Sequence, residues 1–231
     1  MIFLKFGKEE HLNQLKDGIV HFRPLASFVE DSTHFRGDRL ETFLLGDPSY
    51  PLIINGTDFS PYIKEIKHTY DGFSDILSFS VAKLDHNNCH LSQDGIYAVN
   101  DDFINEMKQF GSHVLIFRAE DFITAMRKAL KPYNCNVAYR SIYYCDKTNY
   151  AAISKHFTDL GDSEDPYEYC FIKDYTPYAK QNEWRIFIHD VKNEFPIEDT
   201  GGVNIKTEFR TKIPLFETNA LTSLFLSEEW L

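Results

Sequence analysis

The side chains best suited to chemistry in this sequence lie close together in the segment AKQNEWRIFIHD. Gln181, Glu183 and Arg185 alternate with Trp184 and Ile186, which puts the polar set on one face of a β-strand. A carboxylate at the mouth of a cleft can stabilise a developing positive charge, and a neighbouring amide can orient an acceptor group. We therefore predict Glu183 and Gln181 as the catalytic pair of a glycosyl transfer. The same alternation is typical of an ordinary strand whose polar face lies in water, and both interpretations stay open.

Two other segments place polar side chains on predicted strands. Arg23 lies near the end of IVHFRPL, where a guanidinium can bind a pyrophosphate through two parallel hydrogen bonds. Ser78 and Ser80 share one face of DILSFSVAKL, where their hydroxyls can brace a cofactor pocket. The alternatives are that the arginine forms a surface ion pair and that the serines face solvent. The enzyme hypothesis requires Glu183 to lie in a cleft beside Arg23 and Ser78.

The order of these residues resembles the Arg/Ser-x-Ser/Glu class of ADP-ribosyltransferases. The resemblance implies that NAD is the substrate, with Arg23 at its phosphates and Ser78 and Ser80 shaping the nicotinamide site. It also implies that Glu183 is the catalytic glutamate. The middle triplet here is Ser-Phe-Ser where that class usually has Ser-Thr-Ser, and the first-strand position can be matched through His21 in place of Arg23.

A wider resemblance joins the segments RGDRLE, LSFS, GSHVLIFRAEDF and IKDYTPYAKQNEWRIFI. Together they are similar to a bacterial and phage family that is described as a domain of unknown function. Its members carry a Lys-x-x-x-x-Tyr-x-x-Glu-x-Glu-Trp-Arg type segment. The matching positions here are Lys173, Tyr178, Gln181, Glu183, Trp184 and Arg185, with Gln181 in place of the first acid. This resemblance implies that the chain is a divergent member of that family. It supports a fold and the location of a pocket more than it supports a particular reaction.

The early segment HFRGDRLETF alternates positive and negative charges. One interpretation is a solvated loop whose charges, from Arg36, Asp38, Arg39 and Glu41, pair with each other. The alternative is that Asp38 or Glu41 folds back into the cleft and contacts Arg185 or the substrate. A weaker hypothesis assigns these two acids, together with the strand glutamate, to a nuclease-like site around a divalent ion.

The sequence gives little support to a zinc site, a phosphate-binding loop or a serine-hydrolase motif. His86, Cys89 and His90 are acceptable zinc ligands, but a fourth ligand at the usual spacing is missing, so we predict no metal site. Neither a Gly-rich phosphate loop nor the G-x-S-x-G nucleophile motif occurs in the sequence. Kinases, P-loop enzymes and α/β-hydrolases are therefore poor matches.

The composition narrows the possible partners. The 231 residues carry a net charge of −11, so the overall field opposes nucleic acid and anionic membranes. The four cysteines form no C-x-x-C pair, and no leader or membrane-spanning run is visible, so we expect a cytoplasmic protein with reduced thiols. A nucleotide is the expected small-molecule partner. The alternative is a non-enzymatic bacterial or phage interaction protein whose acidic surface binds a basic partner.

The predicted elements that must position these residues are mostly strands. Period-two segments and turn signals at Asn55-Gly56 and Asp94-Gly95 indicate antiparallel pairs. Helical patterns fall at residues 8–16, 100–110, 119–131 and 149–160, without regular β-α-β alternation. We predict a single α+β domain over residues 1–231, with mostly antiparallel or mixed sheets and a few flanking helices.

Overall fold

An α+β architecture is built around one eight-stranded sheet whose strand pairs are all antiparallel. The computed structural model describes residues 1–31, 33, 37–38, 41, 44–45, 52–62, 67–68, 72, 75–161, 166–189, 195 and 201–231. The predicted fold class is therefore confirmed. Arg36 and Arg39 lie outside the described residues.

The strands are β1 Ile2–Gly7, β2 Ile19–Pro24, β3 Leu44–Leu45, β4 Ile53–Ile54, β5 Thr57–Asp58, β6 Lys67–His68, β7 Leu77–Leu84, β8 Cys89–Leu91, β9 Tyr97–Val99, β10 His113–Arg118, β11 Asn136–Ser141, β12 Tyr143–Cys145, β13 Ile172–Asp174, β14 Glu183–His189, β15 Val203–Lys206, β16 Leu215–Glu217 and β17 Phe225–Leu226. The α-helices are α1 Glu9–Lys16, α2 Ser27–Glu30, α3 Asp101–Met107, α4 Ala119–Leu130, α5 Tyr150–Asp159 and α6 Tyr175–Tyr178.

The central sheet runs in the order β11, β14, β7, β1, β10, β16, and β2 joins it by pairing with both β7 and β15. The strands β7 and β14 form its middle, paired from Leu77 opposite Ile188 to Ala82 opposite Glu183. Sequence alternation on these two strands therefore decides which side chains lie on each side of the sheet.

One face of the sheet is apolar and is covered by helices α1 and α4. Phe79, Trp184 and Ile186 pack there with Phe122 of α4, and the rings of Phe79 and Phe122 stack with centroids 5.3 Å apart. Helix α4 follows the predicted pattern, with acids in its first turn and bases in its last. This face is the main apolar core of the described chain.

The two predicted turns are confirmed. Asn55 and Gly56, with φ of 50° and 76°, connect β4 to β5, as a two-residue hairpin turn requires. Gly95, with φ of 77°, lies between β8 and β9, which pair antiparallel. Among the described residues no helix has both the length and the apolar character needed to cross a membrane.

The segment around Glu183 differs from its prediction in two ways. Gln181 is not on the strand: it ends a 3₁₀ turn, Ala179–Gln181, and Asn182 follows with a left-handed φ of 45° before β14 begins. Every residue of β14 is buried, so its polar face does not lie in water. The interpretation as a half-buried strand was wrong because other segments of the chain cover that face.

Candidate functional site

Glu183 is held by two cations on the covered face of β14. Lys173 Nζ donates to Glu183 Oε2 over 2.8 Å, and Arg185 Nε donates to Glu183 Oε1 over 2.6 Å. All three side chains are at least nine-tenths buried. Buried ions are tolerated when they are paired and hydrogen-bonded, as they are here.

Glu41 brings a second carboxylate to the same cations. Its side chain is fully buried and pairs with Arg185 Nη1, while its Oε2 lies 3.7 Å from Lys173 Nζ. The predicted contact between Glu41 and Arg185 is therefore confirmed, although Glu41 is not among the described residues that line the cavity next to this cluster. The early segment is not a solvated, self-paired loop at this residue.

The charges in this cluster control one another's protonation. Burial alone would raise the pKa of Glu183, but the attraction of Arg185 and Lys173 outweighs it and holds that pKa well below its usual value. Burial also disfavours the guanidinium of Arg185, yet Glu183 and Glu41 keep its pKa above the usual range. The carboxylate of Glu183 therefore stays ionised at neutral pH.

Further groups extend the cluster towards β12 and α6. Burial lowers the pKa of Lys147, although the nearby carboxylates of Asp38 and Glu41 oppose that shift. Burial, together with the same two carboxylates, raises the pKa of Tyr178 to about 12. The backbone N–H of Glu183 donates to the hydroxyl of Tyr144 over 2.8 Å. The six charged side chains here, three of each sign, are Asp38, Glu41, Lys147, Lys173, Glu183 and Arg185.

A notch in the central sheet opens beside this cluster. On the side of β7 that faces away from β14, β1 pairs with Ala82–Leu84 and β2 pairs with Leu77 and Ser78. The residues between these two ladders leave a short open edge. Lys5, the first residue of β1 beyond its ladder with β7, spans this edge and donates from Nζ to the carbonyl of Ser80 over 2.6 Å.

A cavity of about 770 Å³ occupies the notch, within the range typical of small-molecule sites. Its lining includes polar residues from both sides of the opening, together with apolar residues such as Phe6, Leu12, Met107 and Phe110. The cationic side chains in the lining are Lys5, Lys8, Arg23, Lys173 and Arg185, and among its described residues the one carboxylate is that of Glu183.

All six site residues predicted from the sequence line this cavity. They are His21, Arg23, Ser78, Ser80, Gln181 and Glu183. The sheet explains their convergence, because Arg23 lies opposite Ser78 and Ser80 lies opposite Arg185 across neighbouring strands. Gln181 reaches the cavity from the 3₁₀ turn that precedes β14, so its approach differs from the one expected.

Two of the predicted residues, Ser78 and Arg23, have informative local surroundings. Ser78 is 2% exposed, and its hydroxyl has no hydrogen-bond partner among the described residues. Arg23 lies over the ring of Phe28, and its Nη1 is 4.0 Å from Asp31 Oδ2. A buried hydroxyl without a partner costs free energy, so Ser78 is a group that a bound ligand would satisfy.

Sequence reasoning missed Lys5 and Asn204, and it assigned no site role to Lys173. Lys173 could have been found, because it stands in the family-like segment that ends in Arg185. Asn204, whose Oδ1 lies 2.9 Å from His21 Nδ1, comes from β15 near the end of the chain. Nothing local in the sequence links β15 to β2, so this contact could not be predicted.

The metal hypotheses find no support in the geometry. Within the described ranges no group of three or more His, Cys, Asp and Glu side chains is arranged to hold a metal ion. In the proposed nuclease-like site, Glu41 and Glu183 are bridged by ammonium and guanidinium groups, which a divalent ion would have to displace. Cys89 is buried, and the Nδ1 of His90 is 2.8 Å from Asn100 Oδ1.

Comparison with known protein-family models, with curated proteins and with solved structures finds no match to this chain. The site is therefore defined by its own geometry: a notch beside the middle of an antiparallel sheet, a mixed polar and apolar lining with five Lys and Arg side chains, and one ionised carboxylate among its described residues.

Proposed function

We propose that the cavity binds NAD or a related nucleotide and that the protein is ADP-ribosyltransferase-like, passing ADP-ribose from NAD to an acceptor. The observation that carries this proposal is the convergence of the six sequence-predicted residues on one cavity, whose charged lining residues in the described part of the chain are five Lys and Arg and one Glu. The chain as a whole carries a net charge of −11, so this local excess of Lys and Arg is a specific feature. A diphosphate-bearing ligand matches it in charge.

The position of Glu183 supports a role in stabilising positive charge. In the proposed reaction the bond between the ribose C1′ and the nicotinamide nitrogen breaks, and its electron pair leaves with neutral nicotinamide. The acceptor then forms a bond to C1′ and loses a proton. The ribose carries positive charge between these events, and an ionised carboxylate beside it lowers the barrier. Since the pKa of Glu183 is held well below its usual value, it acts through charge and hydrogen bonding and not as a general base.

The remaining predicted residues are assigned by their places in the cavity. Arg23, with Lys5 and Lys8, supplies charge for the phosphates. The hydroxyl of Ser78, which has no hydrogen-bond partner in the described part of the chain, offers a hydrogen bond to the nicotinamide or ribose part of the ligand. Gln181, at the entrance to β14, is assigned to the acceptor side.

Calorimetric titration of NAD into the wild type and into Glu183→Gln, with nicotinamide release followed in the same samples, tests the proposal. We expect both proteins to bind and only the wild type to release nicotinamide. Glu168→Gln is the matched control, because Glu168 is a buried carboxylate paired with Arg140 but lies outside the lining of the cavity.

The other outcomes separate the competing functions. Binding without release in the wild type would reject the transferase and leave a nucleotide-binding protein. No binding at millimolar NAD would reject both and favour the non-enzymatic interaction protein. One observation favours the interaction protein: Glu183 and Arg185 are already paired with each other. Paired buried charges also occur for purely structural reasons.

A further inference from the structure

Glu41 has an unusual place relative to the proposed catalytic carboxylate. It lies 144 positions from Arg185 in the sequence, yet its side chain is fully buried against that residue. It is absent from the described lining of the cavity, so any influence on a bound ligand must pass through other side chains.

Arg185 stands between the two carboxylates. Its Nε donates to Glu183, while Nη1 pairs with Glu41 and also donates to the carbonyl of Cys170 over 3.1 Å. Its Nη2 is 3.4 Å from Glu41 Oε2. Because the guanidinium is planar and rigid, fixing its Nη edge fixes the direction in which Nε points.

Lys173 gives Glu41 a second connection to the same carboxylate. Its ammonium lies 2.8 Å from Glu183 Oε2 and 3.7 Å from Glu41 Oε2. Both oxygens of Glu183 are therefore held by cations that Glu41 also contacts.

The early segment is anchored so that it delivers this side chain. The hydroxyl of Tyr178 donates to the carbonyl of Gly37, and the backbone N–H of Asp38 donates to the carbonyl of Phe28 over 3.0 Å. Phe28 itself lines the cavity. The segment that carries Glu41 is thus held at two points, and one of them, Phe28, belongs to the wall of the cavity.

We propose that Glu41 is a positioning residue for Glu183, acting through Arg185 and Lys173 to aim the carboxylate into the cavity. The role of Glu183 in this inference rests on the proposed function. Simple stability gives a weaker account of Glu41, since buried ion pairs can often be replaced by apolar groups without loss of stability.

The first test does not depend on NAD. In Glu41→Gln the amide keeps the shape of the side chain but removes its negative charge. The amide NH₂ group, which is a donor, then faces the donor groups of Arg185 or Lys173 in place of an accepting oxygen. We expect the Nε–H resonance of Arg185 to shift and to exchange faster with solvent, as measured by NMR. Glu168→Gln, which removes the ion pair between the buried Glu168 and the half-buried Arg140, should leave that resonance unchanged. An unchanged Arg185 resonance in folded Glu41→Gln overturns the proposal whatever NAD does.

The second test measures function. With Glu41→Gln we expect nicotinamide release to fall about 10- to 100-fold, the size of effect that a displaced catalytic group produces, while the Kd for NAD stays near the wild-type value. Glu41→Asp retains the charge, so its rate of nicotinamide release should lie between the rates of the wild type and Glu41→Gln. This variant keeps the test usable if the glutamine variant does not fold. Equal rates in Glu41→Gln and Glu168→Gln overturn the positioning role. A wild type that does not bind NAD overturns the proposed function instead, and the NMR result then decides alone whether Glu41 orients Arg185.

Discussion

The two faces of β14 are equally buried but are built from opposite chemistry. Trp184, Ile186 and Ile188 pack into the apolar core under α4, whereas Glu183 and Arg185 join a cluster of buried ions beside a cavity. On the first face, burial itself provides the stabilising free energy. On the second, the cost of removing charges from water is offset only while every partner is in place. The comparison shows how one strand can be both a core element and the base of a site.

The largest effect that follows from this difference should come from Arg185→Leu. It removes the guanidinium that pairs with both Glu41 and Glu183, so we expect a loss of about 3–5 kcal/mol in the free energy of unfolding at neutral pH. The loss should shrink in acid, because the stranded carboxylates can then take up protons. Urea unfolding over a pH series measures this, and a loss that does not depend on pH would contradict the ionic description of this face.

Trp184→Ala tests the opposite face of the same strand. Its indole packs against Phe3 with ring centroids 4.6 Å apart, and its removal leaves a cavity in the apolar core. We expect a loss of about 3–5 kcal/mol that stays constant over the same pH series. A strong pH dependence of the loss in this variant would show that the two faces are energetically coupled. That result would contradict the separation of an apolar face from an ionic face.

A smaller effect should appear in acid through Glu183 itself. Because its pKa in the folded protein lies well below the ordinary value of 4.5, its contribution to stability is present above that pH and is lost as the pH falls towards the lowered value. The difference in stability between the wild type and Glu183→Gln should therefore shrink below pH 4.5, by at most about 1.4 kcal/mol per pH unit. A difference that is constant down to the acid transition would argue against the lowered pKa.

The smallest effect on stability should come from Ser78→Ala. The hydroxyl makes no hydrogen bond to the described residues, so its removal should change the free energy of unfolding by less than about 0.5 kcal/mol, or stabilise the protein. The same change should weaken NAD binding by roughly tenfold, the value of one lost hydrogen bond at a ligand. Thermal unfolding and calorimetry on the same samples separate the two results. A clearly destabilised variant would mean that the hydroxyl serves the fold.

The prediction of the fold succeeded where local patterns are decisive. The helix α4 and the hairpin turn at Asn55-Gly56 formed as predicted, because charge placement and turn chemistry act within a few residues. The grouping of Arg23, Ser78 and Glu183 around one cavity was also expected from their order on predicted strands, although their roles remain a proposal.

The burial of the polar face of β14 could not be predicted from that strand. Alternation tells which side chains share a face, but it does not tell what covers the face. Glu41 and Lys173 cover it: Lys173 lies only ten positions before Glu183, whereas Glu41 lies 144 positions before Arg185, the residue that it contacts. A polar stripe beside water and a polar stripe beneath buried counter-ions have the same sequence pattern.

The sequence by itself determined the class of fold, the alternation that separates Trp184 from Glu183, and the residue types able to serve a nucleotide site. Only the tertiary structure decided that Arg185 is a buried ion between two carboxylates and that β1 and β2 part to leave a notch beside Ser80. The physical reason is range: turn and helix propensities are settled by neighbours in sequence, whereas a buried charge is tolerated only when it is paired, and Glu41, one of the partners of Arg185, comes from a distant segment.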